Sequence, residues 1–201
     1  MATGTSRARS AAGLAVVALM ALVGLGCGAS SQPAAAPAHG RELAFFEPRP
    51  APSAWPRAHL ADPRATIAVP PGWHRIQGDR GTLSAERLGA GGRITGYLNL
   101  TPRQPGETLA TWTAFRPAHN RREGNRAVDV RAVSRPRRFG ATTATCVQDD
   151  YTTSTRARYR ELACLFVGAR GGVVLVGAAP PSAWRQSEPS LARVIESLRL
   201  R

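Results

Sequence analysis

Charge is absent from residues 11–27, AAGLAVVALMALVGLGC, and beyond that run apolar positions come in short alternating stretches until one helical stripe closes the chain. Alternation at 65–69, a Pro70-Pro71-Gly72 break and Trp73 read as strand, turn, strand. Residues 82–88 and 93–100 are two further strands, and Gly89-Ala90-Gly91-Gly92 between them supplies the backbone freedom of a tight hairpin. Pro102 and Pro105 close that run. A short helix is expected from Gly106-Glu107, with Leu109, Trp112 and Phe115 or Arg116 at three-residue intervals and Pro117 as its end. Glu107 near its start complements the helix dipole, and Trp112 is expected in the core. Residues 127–133 alternate again, 135–138 form a turn, and 139–166 form a long hairpin. After a turn at 170–172, the continuously apolar 173–176 predicts a strand covered on both faces. Ser187 as cap, Pro189 in the first turn and the Leu191, Val194, Ile195, Leu198 stripe predict the last helix.

The apolar opening run changes the setting of everything after it. Arg7 and Arg9 precede about sixteen uncharged residues, which suits an export signal better than a spanning helix of about 20 apolar residues. Gly24-Leu25-Gly26-Cys27 resembles the bacterial lipobox, which implies cleavage after residue 26 and acylation of Cys27. An ordinary signal peptide or an uncleaved anchor is the alternative. Residues 27–61, rich in Pro and Ala, read as an extended tether containing His39 and His59 as solvated residues, and residues 62–201 as one globular domain. The expected location is extracytoplasmic, with a lipid anchor in a bacterial membrane.

Composition sharpens that picture and also weakens one signal. The chain carries a formal charge of +14, and all 27 of its basic residues are arginine. Such a surface is drawn to anionic lipid or polymer, although the total absence of lysine points to compositional bias. Export makes nucleic acid an unexpected partner.

With Cys27 taken by the lipid, Cys146 and Cys164 are left as a disulfide pair in an oxidising space, the alternative being two buried thiols. If they face each other across the long hairpin, antiparallel register also sets Tyr151 opposite Tyr159 and Asp150 opposite Arg160. The same register sets Asp149 opposite Glu161, which is unfavourable.

Pro70-Pro71-Gly72-Trp73 at one end and Ile195-Glu196-Ser197-Leu198 at the other, spaced by a meander, a helix, a hairpin and an apolar strand, resemble the PsbP-like α/β/α sandwich and the exported lipoproteins of the LpqN type. The resemblance implies an α+β fold: an antiparallel sheet of about six or seven strands with helices on both faces. It also implies a non-enzymatic binding or adaptor role, with no catalytic residues to transfer.

No G-x-S-x-G elbow, metal-ligand spacing or phosphate loop is present, so no cofactor is expected. His74 and His119 are the domain's histidines, and an exported hydrolase would need one of them beside a carboxylate. Between Arg116 and Arg138, eight arginines oppose Glu123 and Asp129 alone. Arg121, Arg122, Arg137 and Arg138 are the candidate anion-binding residues, a solvated arginine face being the other reading. The leading expectation is a membrane-tethered, non-catalytic envelope lipoprotein that binds another envelope protein or an envelope polymer. A binder of anionic lipid or glycan and an exported hydrolase are the alternatives.

Overall fold

The computed structural model describes residues 41–42, 49–62 and 65–200. The expected signal peptide, Cys27 and most of the tether lie outside them. The elements are β1 (Arg41–Glu42), β2 (Arg57–Leu60), β3 (Ala65–Ala68), β4 (His74–Ile76), β5 (Leu83–Leu88), β6 (Ile94–Pro102), α1 (Trp112–Arg122), β7 (Arg126–Val133), β8 (Arg137–Phe139), β9 (Thr142–Thr152), β10 (Arg158–Gly168), β11 (Gly171–Ala179), α2 (Pro181–Ser197) and β12 (Arg199–Leu200).

The fold is α+β. Nine strands, more than the six or seven expected, form one sheet in the order β1-β7-β9-β10-β11-β6-β5-β4, with β8 added against β9. Every pairing in it is antiparallel except β1 with β7. A second, three-stranded sheet runs β12-β3-β2. Residues 57–60, expected in the tether, are therefore a strand: Ala58 and Leu60 point into the core while Arg57 and His59 stay exposed. The proline-rich context hid this, because two apolar residues at alternate positions suffice once β3 offers an edge. The two strands expected on either side of Pro70-Pro71-Gly72 both form, but in different sheets.

The long hairpin has the expected register: Cys146 faces Cys164, Tyr151 faces Tyr159, Asp150 faces Arg160 and Asp149 faces Glu161. The cysteines form a disulfide, and the tyrosine rings lie 6.1 Å apart. Arg137 and Arg138, expected in a turn, pair instead with Ala144 and Thr143 as β8.

Alternate residues of β10 join different apolar clusters. Leu162, Cys164 and Phe166 pack with Leu191, Val194 and Ile195 of α2. Ala163 and Leu165 pack with Val147, Val174, Val176 and Trp112 of α1, whose indole donates to the Ala163 carbonyl at 3.0 Å. Close approach of α2 requires Gly177, since a Cβ there would lie 2.8 Å from Leu191 Cδ2.

Both helices differ from expectation at their prolines. α1 starts at Trp112, five residues beyond Glu107, and runs through Pro117. Glu107 instead accepts the Gln104 backbone N–H at 2.6 Å in the preceding turn. A mid-helix proline costs about 3 kcal/mol, and burial of Trp112, Pro117 and Asn120 against the sheet offsets it. α2 starts at Pro181, a first-turn position that spares the missing N–H, so Pro189 is interior. Ser187 is not its cap: it is fully buried, donates to Ala183 O at 3.0 Å and accepts from Arg87 at 2.9 Å.

Candidate functional site

The α1 cluster lies on the sheet face that carries Tyr97, Asn99 and Thr101 of β6, Val174 and Val176 of β11, Glu161 of β10 and Tyr151 of β9. Antiparallel pairing sets Asn99 against Val176 and Tyr97 against Ala178, and period-two alternation keeps each set on one face. Beside α1, a cleft of about 710 Å³ opens, lined by these side chains, by Phe115, Arg116 and His119 of α1, and by the loops at 79–82 and 102–107. That volume is in the range of small-ligand sites. A smaller hollow of about 120 Å³ adjoins it through shared Tyr97 and Tyr151 and adds Ile94, Tyr159 and Ala178. All three tyrosines of the chain therefore border one continuous surface.

The polar lining is built of groups that both donate and accept. Asn99 Nδ2 donates to Ser84 Oγ at 2.9 Å and Tyr97 Oη at 3.2 Å, which fixes the amide and spends its donor side on protein. Thr101 and Gln104 add a hydroxyl and a second amide. Three carboxylates, Asp79, Glu107 and Glu161, stand against two guanidiniums, Arg80 and Arg116. Although the whole chain is strongly basic, this cleft is not.

Its inner wall is a buried charge cluster. Arg116 grips Glu161 with both prongs, Nε to Oε1 at 2.7 Å and Nη2 to Oε2 at 2.9 Å. Asn120, one turn along α1, donates to Glu161 Oε1 at 3.0 Å and Asp149 Oδ2 at 3.1 Å. Glu161 and Asp149 are both fully buried. Burial alone would raise Glu161, but the Arg116 charge and hydrogen bonds hold it below its usual range. Asp149 has no guanidinium of its own: burial, and then the Glu161 charge, push it up to about 8. Burial and the same carboxylate raise the Tyr151 phenol. The hairpin register sets the two acids of this cluster side by side, and α1 delivers Arg116 and Asn120 onto them, which no spacing in the sequence marks.

Asp150, on the opposite face of β9, is different. Burial would raise it, but Arg160 at 2.6 Å and Arg131 at 2.8 Å hold it low. The Arg160 guanidinium lies 5.9 Å from the Trp184 ring, so this network ties the hairpin to α2.

The four candidate anion-binding arginines fall into two pairs. Arg121 and Arg122 end α1, where Arg121 donates to Val128 O and Arg122 lies over Phe115. Arg137 and Arg138 are on β8, alongside Thr143 and Ala144 of β9. Val128 lies near the Asp150 end of β9, so at about 3.3 Å per residue the pairs stand on the order of 20 Å apart. His119 lines the cleft, stacks on Phe115 at 5.9 Å and lies 3.9 Å from exposed Glu123. His74 is exposed on β4, across from Glu86.

No family model matches the chain, and no curated protein does. Among solved structures it is similar to the cyanobacterial PsbP protein CyanoP of Synechocystis sp. PCC 6803, with a TM-score of 0.54 and 9% identity, covering 75% of this chain and 95% of that one. A Pseudomonas aeruginosa protein of unknown function gives a TM-score of 0.50 and 11% identity over 73% and 97% of the two chains. LpqN of Mycobacterium tuberculosis, described as involved in cell envelope biogenesis, gives a TM-score of 0.44 and 11% identity over 74% and 86%. The chain spans 45% of a longer Bacteroides thetaiotaomicron protein, with 10% identity. At these identities the likeness is one of fold, and the fold is PsbP-like.

Proposed function

We propose that this PsbP-like domain is a non-catalytic binding module of a bacterial envelope, held to the membrane through acylated Cys27, with an uncharged, hydroxyl-rich envelope polymer as its ligand. In this reading α1 and α2 cover opposite faces of the sheet, as the alternation of β10 residues between their clusters supports. The ligand lies where α1 leaves its face open.

The observation that carries the reading is the lining of the cleft. Tyrosine faces offer flat apolar contact, the Asn99 carbonyl oxygen is left to accept, and Thr101, Gln104 and the phenols each donate and accept, as hydroxyl groups do. A polyanion finds Asp79 and Glu107 there beside Arg80, and the other guanidinium, Arg116, is already held by Glu161. A non-catalytic role is supported by the state of the buried acids: Glu161 is spent on Arg116 and Asn120, and Asp149 lies behind the wall.

The test is calorimetric titration of the detergent-solubilised full chain with neutral and with anionic oligosaccharides released from bacterial envelope. Neutral fragments are expected to bind with little salt dependence, and Tyr97→Ala or Asn99→Ala to weaken binding by about tenfold or more. Salt-sensitive binding of anionic fragments alone, abolished by replacing Arg121, Arg122, Arg137 and Arg138 with Gln, would put the arginine surfaces in place of the cleft.

A further inference from the structure

Glu161 and Asp149 face each other from adjacent strands, both fully buried, and the groups around them do not balance two negative charges. From α1 come Arg116 and neutral Asn120, with half-exposed His119 beside them and turned to Glu123. From β10 comes Glu161. From β9 itself come Tyr151, whose phenol stays protonated, and Asp150, held on the other face by Arg160 and Arg131. From β7 Asp149 meets the aliphatic Val130, and the neighbouring Asp129 and Arg131 are paired with each other at 3.2 Å. One guanidinium thus serves two carboxyls. Asp149 Oδ1 is buried with no hydrogen-bond partner, which a neutral carboxyl tolerates far better than an ionised one.

We propose that Asp149 and Glu161 hold a single proton between them and that this proton clamps α1 onto the sheet, so that the helical wall of the cleft is proton-gated. In the docked state the proton stays on Asp149. When α1 lifts, water reaches both carboxyls, Asp149 returns to the ordinary aspartate range and the proton leaves.

The sign follows from linkage. The docked state binds one more proton than the released state at every pH between the ordinary aspartate range and about 8, so docking weakens as pH rises through that window and levels off above it. At lower pH Glu161 also takes up a proton, the Arg116 pair is lost, and docking weakens again. Docking is tightest in mildly acidic surroundings, whatever occupies the cleft. Phe115, Arg116 and His119 move with α1, so the cleft widens or loses a wall on the alkaline side.

Hydrogen exchange of the intact folded chain, corrected for the intrinsic pH dependence of exchange, reads this directly. Protection of α1 amides is expected to fall from pH 5 to pH 8 by up to about tenfold per unit, while the β10–β11 amides hold. Asp149→Asn keeps the shape without the titration and is expected to flatten that profile and to raise α1 protection at pH 8. Carbon-13 carboxyl titration of the wild-type chain supplies the second readout, with Asp149 titrating far above the aspartate range. Parallel α1 profiles in the two proteins, or an Asp149 resonance titrating with ordinary aspartates, overturns the proposal.

Discussion

A side chain in this domain owes its role to what the opposite element delivers to it. Arg116 would pass for one more arginine in a run of eight, yet its bidentate hold on Glu161 makes it the residue that neutralises the core of the α1 contact. Arg116→Met removes that partner and leaves a carboxylate buried. A loss of about 3–5 kcal/mol is expected in denaturant titration at neutral pH, against under 1 kcal/mol for Arg122→Met on the same helix. Period-two logic made the pairing of Asp149 with Glu161 legible from sequence once Cys146 was set directly opposite Cys164. Their common partner was not legible, since which turn of a helix lies over which strand depends on packing and leaves no mark in sequence spacing. For the same reason the arginines of 121–138 read as one surface and stand as two.

Among the elements, the longer strands were legible, while the short strands β2 and β8 and the helix ends were not. A strand announces itself by alternation over a few residues, and the glycines at 89–92 and the Gly168–Gly171 pair that closes the Ala169-Arg170 turn mark its reversals. Proline misled in both helices, Pro117 as the expected end of α1 and Pro189 as a first-turn residue of α2, because an interior proline holds where packing outweighs the lost hydrogen bond. Here Trp112, Arg116 and Asn120 hold α1 on both sides of Pro117, and Leu191, Val194 and Ile195 hold α2 beyond Pro189. α2 approaches β11 closely at Gly177. Gly177→Ala places a methyl 2.8 Å from Leu191 Cδ2, and a cost of about 1–3 kcal/mol is expected from thermal or denaturant unfolding. Leu191→Val in the same chain should recover part of it, which separates overpacking from a backbone effect.

At the scale of the molecule, the disulfide and the opening run are joined by one measurement. Intact mass of the protein extracted from membranes is expected to show a chain beginning at acylated Cys27 and gaining two hydrogens on reduction. An unmodified chain with its first 26 residues present would remove the lipoprotein reading while leaving the fold untouched. Replacing Cys146 and Cys164 together with Ala should lower stability by about 3 kcal/mol, read by denaturant titration. One feature of the whole chain also makes it its own reporter. Because its only tyrosines, Tyr97, Tyr151 and Tyr159, all border the cleft or the hollow that adjoins it, biosynthetic 3-fluorotyrosine labels that surface and nothing else. A three-line fluorine spectrum then registers occupancy, proton release and helix lifting side by side, with no probe added to the molecule.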